Sequence, residues 1–272
     1  MCFVWLADRV HPERPVIVAA NRDEAWDRPS APPRIHVAPE APAGARGPDI
    51  LAPVDLRSGG TWIGWNGDGL FVAITERPAG TPDPTLPSRG LLTLRALAAR
   101  SASDAADFVS RIVHRQRTNP FQIVAADGVD TLAVVHDGGW PPEIRSLEPG
   151  LHVLTNQGDP DTILYDTIEK RYPAEVALPG ADTSTEAGAD TEDLLRDRLI
   201  RIVTDRSIRD SEGRSVVKAG QERGTVSSTI LLGGHGSRST RVAHAADAPW
   251  PRDFLSCDEL AERLRPSASK ED

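Results

Sequence analysis

The first 24 residues contain two apolar, β-favouring runs on either side of a polar connection, a pattern typical of an antiparallel hairpin. The second run ends in four consecutive polar residues that read Asn-Arg-Asp-Glu. Centring the connection near His11 and Pro12 fixes the register of the two strands. In that register Cys2 lies opposite Arg22 or Asp23. The sequence therefore predicts a thiol beside polar side chains at one end of the strand pair.

Strand alternation divides the four polar residues between the two faces of the sheet. Asn21 and Asp23 point to one face, and Arg22 and Glu24 point to the other. One pair can then address a nucleophile, whereas the other pair can form an ion pair that fixes the end of the strand. A plainer interpretation is that the run forms a solvated turn as the chain leaves the strand.

Cys2 becomes a candidate nucleophile if Met1 is removed, because the thiol and a free α-amino group then belong to one residue. The amine has an ordinary pKa of about 7.7–8.0 and the thiol one of about 8.5, so the amine can act as the base for the thiol near neutral pH. A carboxylate such as Asp23 would orient the ammonium after proton transfer. The alternative is that Cys2 is a small apolar residue at the start of a strand, since free cysteines are usually just buried.

The overall charge and the cysteine count exclude several classes of protein. The chain has 272 residues, a net charge of −9 and a pI near 5.3, which argues against nucleic acid, a partner bound through its phosphates. Cys2 and Cys257 form neither a disulfide framework nor a zinc-type spacing, so we expect a reduced, cytoplasmic setting. No apolar run has the length of a membrane span, and the early charged residues argue against a signal peptide. His235 and His244 lack the companions of a metal site, and no cofactor is predicted.

Turn residues and apolar periodicity predict blocks of strands and helices along the chain. The clearest hairpin surrounds the Asn-Gly and Asp-Gly dipeptides at 66–69. Pro-rich segments near 25–51 and 78–87 are predicted to be surface loops, and the segment near 181–192 a mobile loop. The other predicted elements are helices beginning near Ser88 and a capping Ser103, helices at 163–171, 194–202 and 258–264, and strands at 121–126, 131–136, 150–156, 225–232 and 240–245. This order predicts one α+β domain over residues 1–272, with helices covering antiparallel sheets.

Four motifs in a fixed order resemble those of a known family. They are an N-terminal Met-Cys, Ala-Ala-Asn-Arg-Asp-Glu at 19–24, Gly-Gly-Thr-Trp-Ile-Gly at 59–64 and Ser-Arg-Gly-Leu-Leu at 88–92. From Cys2 to about Leu232, the chain resembles the NRDE family, also called the transport and Golgi organisation protein 2 family. That family in turn resembles the N-terminal nucleophile hydrolases, especially choloylglycine hydrolases and penicillin V acylases. The resemblance implies a four-layer αββα sandwich of antiparallel sheets and an N-terminal cysteine that attacks a linear amide.

The resemblance also assigns roles to individual residues. The hydrolase motif Arg-Asn-x-Asp matches residues 20–23, which puts Asp23 in the place of the aspartate near the free amine. The Leu-Thr-Asn segment of the hydrolases matches residues 154–156, which makes Asn156 a candidate donor to the oxyanion. The implied catalytic residues are Cys2, Asp23 and Asn156. The residues implied in substrate binding or structural support are Asn21, Arg22, Glu24, Thr61, Trp62 and Thr75.

Three positions depart from the pattern of the hydrolases or of the family. Ala20 stands where the hydrolases carry an arginine. Glu76 stands where the family often has asparagine, and a carboxylate there would repel a developing oxyanion. Val226 stands where many relatives have arginine, and the nearby Arg223 is expected to face differently.

Two functions from different classes follow from these residues and the resemblance. The first is an N-terminal cysteine hydrolase that cleaves a linear amide or acyl bond of a small molecule through a thioester intermediate. The Pro-rich loops after Ala25 and Pro78 would then set the choice of substrate. The alternative is a non-catalytic binding or trafficking protein that uses the same scaffold for a hydrophobic ligand such as haem or a lipid.

Overall fold

Two antiparallel β-sheets lie face to face in the structure, a computed structural model, and helices cover the outer surface of each sheet. The structure describes residues 3–38, 47–156, 166–168, 188–209, 215–234, 239–246 and 253–268. The predicted α+β fold, with its αββα order of layers, is confirmed.

The first sheet has six strands and the second has seven. The strands of the first sheet are β1 (Phe3–Asp8), β2 (Val16–Ala25), β10 (Gly150–Thr155), β11 (Arg223–Gly233), β12 (Arg241–Ala245) and β13 (Leu255–Ser256), in the spatial order β10-β1-β2-β11-β12-β13. The strands of the second sheet are β3 (Ser30–Val37), β4 (Asp49–Asp55), β5 (Ile63–Asn66), β6 (Phe71–Glu76), β7 (Phe121–Ala126), β8 (Thr131–His136) and β9 (Glu143–Ser146), in sequence order. The helices are α1 (Arg89–Ala96), α2 (Ala102–Arg115), α3 (Gly188–Thr204) and α4 (Asp258–Glu262).

The central strand β1 is buried along its whole length because it lies between two apolar layers. Phe3 and Trp5 pack in a cluster that includes Leu199 of α3. Val4 and Leu6 point the opposite way and pack in the cluster that contains the second sheet, α1 and α2. A strand buried on both faces is expected to be apolar, and every residue of β1 except Asp8 is apolar.

The hairpin predicted for the N-terminal residues is confirmed. β1 and β2 pair antiparallel, with Phe3 opposite Asn21 and Asp8 opposite Val16. On its other side β1 pairs with β10, where Phe3 lies opposite Thr155. The start of β1 therefore lies between the polar end of β2 and the end of β10.

The Pro-rich segment near 25–51 requires the largest correction, because we predicted a surface loop there. Ser30–Val37 forms β3, and Asp49–Asp55 forms β4. β3 is an edge strand, and an edge strand tolerates proline because one of its sides needs no backbone donors. The pairing register shifts where Pro32 and Pro33 interrupt the ladder. The second Pro-rich segment, near 78–87, is a loop as predicted.

The starts of two helices also differ from the prediction. α3 begins at Gly188, so the prediction of a mobile loop at 181–192 is wrong for residues 188–192, and residues 181–187 lie outside the described residues. α2 is capped by Ser101 instead of Ser103, because the hydroxyl of Ser101 accepts a hydrogen bond from the backbone N–H of Asp104.

Short elements account for the remaining differences. β9 and β13 were not predicted, and strands this short carry too little periodicity to be recognised. Of the helix predicted at 163–171, residues 166–168 are described and are helical. Among the described helices, none combines the length and the apolar composition that crossing a membrane requires.

Candidate functional site

A cleft of about 420 Å³ opens where the polar end of β2 meets the ends of β5 and β6. Arg22 and Glu24 of β2 form one side, and Trp62 forms another. Thr75 and Glu76, at the end of β6, continue the wall. The Pro-rich loop near 78–87 borders the opening.

On the outer face of the end of β2, Asn21 is the centre of a hydrogen-bond network. Its Nδ2 donates to the backbone carbonyls of Val203 and Val216, each at 2.9 Å. Its Oδ1 accepts from the hydroxyl of Ser228 at 2.6 Å. Because these bonds tie β2 to α3 and to the neighbouring strand β11, Asn21 supports the structure and does not face the cleft.

Asp23 is also buried on this outer side, with 2% of its side chain exposed. Its Oδ1 accepts a hydrogen bond from the hydroxyl of Thr225 at 2.7 Å. The ammonium of Lys218 lies 3.5 Å from its Oδ2. The hydroxyl of Thr225 also accepts from the backbone N–H of Lys218, at 2.9 Å. A cation and a charge-assisted hydrogen bond thus hold the carboxylate in a fixed position.

Arg22 lies on the opposite, inner face of β2, as strand alternation predicted. Its guanidinium carbon is 4.3 Å from the centre of the Trp62 ring, a cation–π arrangement. Its Nη2 is 3.5 Å from Oδ2 of Asp55. Burial lowers the pKa of Arg22, although the carboxylates of Glu24 and Asp55 act in the opposite direction.

Arg28 is the main partner of two carboxylates on this side of the cleft, those of Asp55 and Glu24. Its Nη2 is 2.7 Å from Oδ2 of Asp55, and its Nη1 is 3.3 Å from Oε2 of Glu24. Burial alone would raise the pKa of Asp55, but the hydrogen bond and charge of Arg28 lower it. The ion pair at the end of β2 therefore joins Glu24 to Arg28, whereas Arg22, the partner suggested by strand alternation, lies beside Asp55.

Glu76 is paired with an arginine from a second family motif. Nη2 of Arg89 donates to Oε1 of Glu76 at 2.5 Å, and Nη1 of Arg89 donates to the carbonyl of Pro120. Burial would raise the pKa of Glu76, but surrounding positive charges, among them Arg89, Arg223 and Arg28, lower it. The negative charge that departs from the family pattern is thus compensated locally.

The motifs at 59–64 and 88–92 meet through their backbones. A Cβ on Gly60 would lie 2.3 Å from the carbonyl carbon of Gly90, and the backbone N–H of Thr61 donates to the carbonyl of Gly90 at 3.0 Å. No side chain fits in that space, so glycine is required at residue 60. The hydroxyl of Thr61 donates to the carbonyl of Ile63 and fixes the turn that presents Trp62.

Thr75 connects the cleft to the start of β1. Its hydroxyl donates to the carbonyl of Thr155 at 3.4 Å, and Thr155 lies opposite Phe3 in the sheet. Asn156 follows Thr155 directly and is half-buried. Thr75 thus links the wall of the cleft to the end of β10, whereas Asn156 is not among the residues that line the cleft.

Two positions singled out from the sequence do not enter the cleft. Val226 is buried in a β-bulge of β11, where the register shifts between Thr225 and Ser227. Ala20 faces the apolar space between the sheets. Cys2, which we predicted to be the nucleophile, lies outside the described residues.

Several residues around the site were missed by the sequence reasoning. Arg28 and Asp55 balance the charges of β2, while Thr225 and Lys218 hold Asp23. Asp55, Thr225 and Lys218 come from other segments, so nothing in their spacing connects them with β2, whereas Arg28 follows Glu24 by only four residues. Arg89 could have been found, since it stands in the Ser-Arg-Gly motif. No group of three or more metal-binding side chains is found in the part of the chain that the structure describes.

Comparisons with known proteins agree with this architecture. A sequence model of the family described as Transport and Golgi organisation 2 matches residues 1–246. A curated relative, the Transport and Golgi organization 2 homolog of Mus musculus, is 28% identical over 148 residues, which cover 52% of this chain and 50% of the relative. The matched region thus spans only half of that relative's length.

Two solved structures share the fold at low sequence identity. Penicillin V acylase from Agrobacterium tumefaciens has a TM-score of 0.55 and 13% identity, with 96% of this chain and 88% of that chain covered. A variant of conjugated bile acid hydrolase from Clostridium perfringens has a TM-score of 0.50 and 10% identity, with 98% and 96% covered. At these identities the likeness concerns the fold alone.

Proposed function

The chain belongs to the Transport and Golgi organisation 2 family, and from its N-terminal nucleophile hydrolase-like scaffold we propose that it is a cysteine hydrolase that cleaves a linear amide bond of a small molecule. Cys2 is the proposed nucleophile, Asp23 positions its α-amino group, and Asn156 stabilises the oxyanion. The substrate occupies the cleft beside Arg22, Trp62 and Thr75.

One observation carries this proposal more than any other. Phe3, the residue bonded to Cys2 in the chain, pairs with both Asn21 and Thr155. The buried Asp23 follows Asn21 by two residues on β2, and Asn156 follows Thr155 directly after the end of β10. A nucleophile, a carboxylate and an oxyanion donor are the groups that amide cleavage by a cysteine requires.

The proposed reaction proceeds in two stages. The α-amino group takes the proton of the Cys2 thiol, and the sulfur attacks the carbonyl carbon of the amide to give a tetrahedral oxyanion. Asn156 donates a hydrogen bond to that oxyanion. The C–N bond then breaks, the amine leaves with the proton held by the α-amino group, and a thioester remains. Water hydrolyses the thioester, which releases a carboxylic acid and restores the thiol.

Asp23 suits its proposed role because it is buried and held in place from two sides. The hydroxyl of Thr225 and the ammonium of Lys218 fix the carboxylate without occupying the cleft. A buried and fixed carboxylate orients a nearby ammonium more strongly than an exposed one does.

The test begins with the two cysteines, because their environments predict different reactivities. Cys257 is buried, and burial together with the charge of Asp258 raises its pKa to about 11. Iodoacetamide near neutral pH should therefore label Cys2 and spare Cys257. The intact mass of the purified protein should correspond to the chain without Met1.

Turnover provides the decisive measurement. The protein should release para-nitroaniline from hexanoyl para-nitroanilide, and hydroxylamine should trap the acyl group carried by Cys2. Cys2→Ala should abolish release, whereas Cys257→Ala, the matched control, should retain it. Retention of Met1, or equal turnover by Cys2→Ala, would refute the mechanism.

A second candidate function is a non-catalytic binding protein for a hydrophobic ligand, and Glu76 is the observation that favours it. The lowered pKa of Glu76 keeps a carboxylate charged at the wall of the cleft, where an oxyanion would develop. If Cys2→Ala binds the same ligands as the unaltered protein and neither protein turns over any amide, this function replaces the first.

A further inference from the structure

The guanidinium of Arg22 has a nitrogen without a hydrogen-bond partner. Only 3% of the side chain is exposed, yet within the described residues its Nη1 contacts no acceptor. The same side chain lines the cleft. Arginine cannot lose its proton under ordinary conditions, so the unused N–H groups belong to a full positive charge.

The carboxylate of Asp55 does not supply the hydrogen bond that Nη1 of Arg22 lacks. Oδ2 of Asp55 is 2.7 Å from Arg28 but 3.5 Å from Arg22, and its Oδ1 accepts from the backbone N–H groups of Arg57 and Ser58. Asp55 is therefore already used by other donors. A buried cation whose hydrogen bonds are incomplete is costly, and an acceptor that enters the cleft would relieve that cost.

We propose that the molecule bound in the cleft carries a carboxylate, which accepts a hydrogen bond from Nη1 of Arg22, and an apolar chain, which lies against Trp62 and Ile74. This inference rests on the proposed function in one respect, since it names the substrate as an N-acyl amino acid or a similar amide with a free carboxylate. The guanidinium carbon lies 4.3 Å from the centre of the Trp62 ring, and the planar fork of guanidinium N–H groups matches the geometry of a carboxylate.

The shape of the cleft agrees with a ligand of this kind. Ile74, Leu86 and Pro87 give apolar surface on the walls, while the charged side chains come from the ends of β2, β4 and β6, from the start of α1 and from the adjoining loops. A volume of about 420 Å³ is enough for a short acyl chain joined to an amino acid. The charges of Glu24 and Glu76 are paired with Arg28 and Arg89, so they oppose an incoming carboxylate only weakly.

The test compares three amides that share one acyl chain. N-hexanoylglycine carries a carboxylate, N-ethylhexanamide is neutral, and N-hexanoyl aminomethylphosphonate carries a phosphate-like group. Their affinities for the Cys2→Ala protein are measured by isothermal titration calorimetry, because that variant binds without turnover. We expect N-hexanoylglycine to bind at least about tenfold more tightly than the neutral amide.

Substitution of Arg22 tests whether this residue causes the tighter binding of the charged amide. In the Cys2→Ala protein, Arg22→Gln should remove the difference between the charged and the neutral amide, and Arg22→Lys should restore part of it. Arg57→Gln is the matched control, since it removes the same charge from the rim of the cleft, where the side chain is half exposed. The control should keep the preference, and circular dichroism should show that all variants are folded.

Several outcomes would overturn the inference. They are equal binding of the charged and neutral amides, a preference that survives Arg22→Gln, no binding of any probe at millimolar concentration, or tighter binding of the phosphonate than of the carboxylate. If Arg22→Gln in the protein that retains Cys2 lowers kcat equally for the charged and the neutral amide and leaves KM unchanged, Arg22 would be an oxyanion donor. That result would also refute the inference.

Turnover by the unaltered protein separates this inference from the proposed function. If N-hexanoylglycine binds through Arg22 but no amide is hydrolysed, the hydrolase function fails while the carboxylate site stands. If both amides are hydrolysed with equal kcat/KM, the hydrolase function stands while the carboxylate site fails.

Discussion

Asn21 and Arg22 are adjacent in the chain and almost equally buried, but they belong to different regions of the molecule. Asn21 faces α3 and makes three hydrogen bonds with α3, β11 and the segment at Val216. Arg22 faces the cleft, shares Asp55 with Arg28 and retains an unused nitrogen among the described residues. Strand alternation thus divides one short polar run between a face that bonds to α3 and β11 and a face that lines the cleft.

This comparison shows that burial alone does not identify a functional polar residue. A buried polar group whose hydrogen bonds are all made contributes to stability and specificity of the fold. A buried polar group whose hydrogen bonds are incomplete, and which borders a cleft, is a candidate for contact with a ligand. Substitutions on the outer face should therefore reduce stability, whereas substitutions on the inner face should mainly reduce binding.

The largest effect on stability is expected from Asn21→Ala. The change leaves the carbonyls of Val203 and Val216 and the hydroxyl of Ser228 without their partner, and it should cost about 3 kcal/mol or more. Urea unfolding followed by circular dichroism measures this loss. Asp27→Ala, at a side chain that is largely exposed nearby, is the control and should change stability by less than about 0.5 kcal/mol.

A smaller loss is expected from Thr225→Val, which keeps the shape of the side chain. The hydroxyl that donates to Asp23 and accepts from the backbone of Lys218 disappears, at a cost of about 2 kcal/mol. Thr204→Val is the control, because its hydroxyl bonds only the carbonyl of Ile200 in the preceding helical turn. Equal unfolding midpoints for Thr225→Val and the unaltered protein would show that the network around Asp23 is not stabilising.

Arg22→Gln should reduce stability by less than about 1 kcal/mol. The lost stacking on Trp62 is offset by removal of a poorly compensated buried charge, and Asp55 keeps its bond with Arg28. Thermal unfolding measures the change. If Arg22→Gln proves as destabilising as Asn21→Ala, the division between a structural and a binding face is wrong.

The smallest effect concerns Glu76 and depends on pH. Its folded-state pKa is lowered from the ordinary value of 4.5, so ionised Glu76 stabilises the fold above that pH, and the contribution is lost as the pH falls through the folded-state pKa. The contribution should be less than about 1 kcal/mol, because the side chain is 36% exposed. Urea unfolding between neutrality and about pH 3 should show Glu76→Gln less stable at neutral pH and equal to the unaltered protein at the acid end. A constant difference across that range would contradict the assignment.

Much of the fold could be predicted because its signals are local. The hairpin of β1 and β2, the Asn-Gly and Asp-Gly turn between β5 and β6, and the apolar stripe of α2 all depend on neighbouring residues. The edge strand β3 could not be predicted from composition, since its prolines suggest a loop and only its place at the sheet edge makes them acceptable. The opposite faces of Asn21 and Arg22 were predictable, but their partners were not.

The sequence by itself determined the family, the hairpin of β1 and β2 and the alternation of polar residues along β2, because these properties depend on residue types and short spacings. Only the tertiary structure decided that Glu76 pairs with Arg89, that Thr225 and Lys218 hold Asp23, and that Arg22 lies against Trp62 with a nitrogen unused in the described structure. Those contacts join separate segments, from 13 residues apart for Glu76 and Arg89 to 202 residues apart for Asp23 and Thr225. Packing of the two sheets brings them together, and no local pattern encodes that packing.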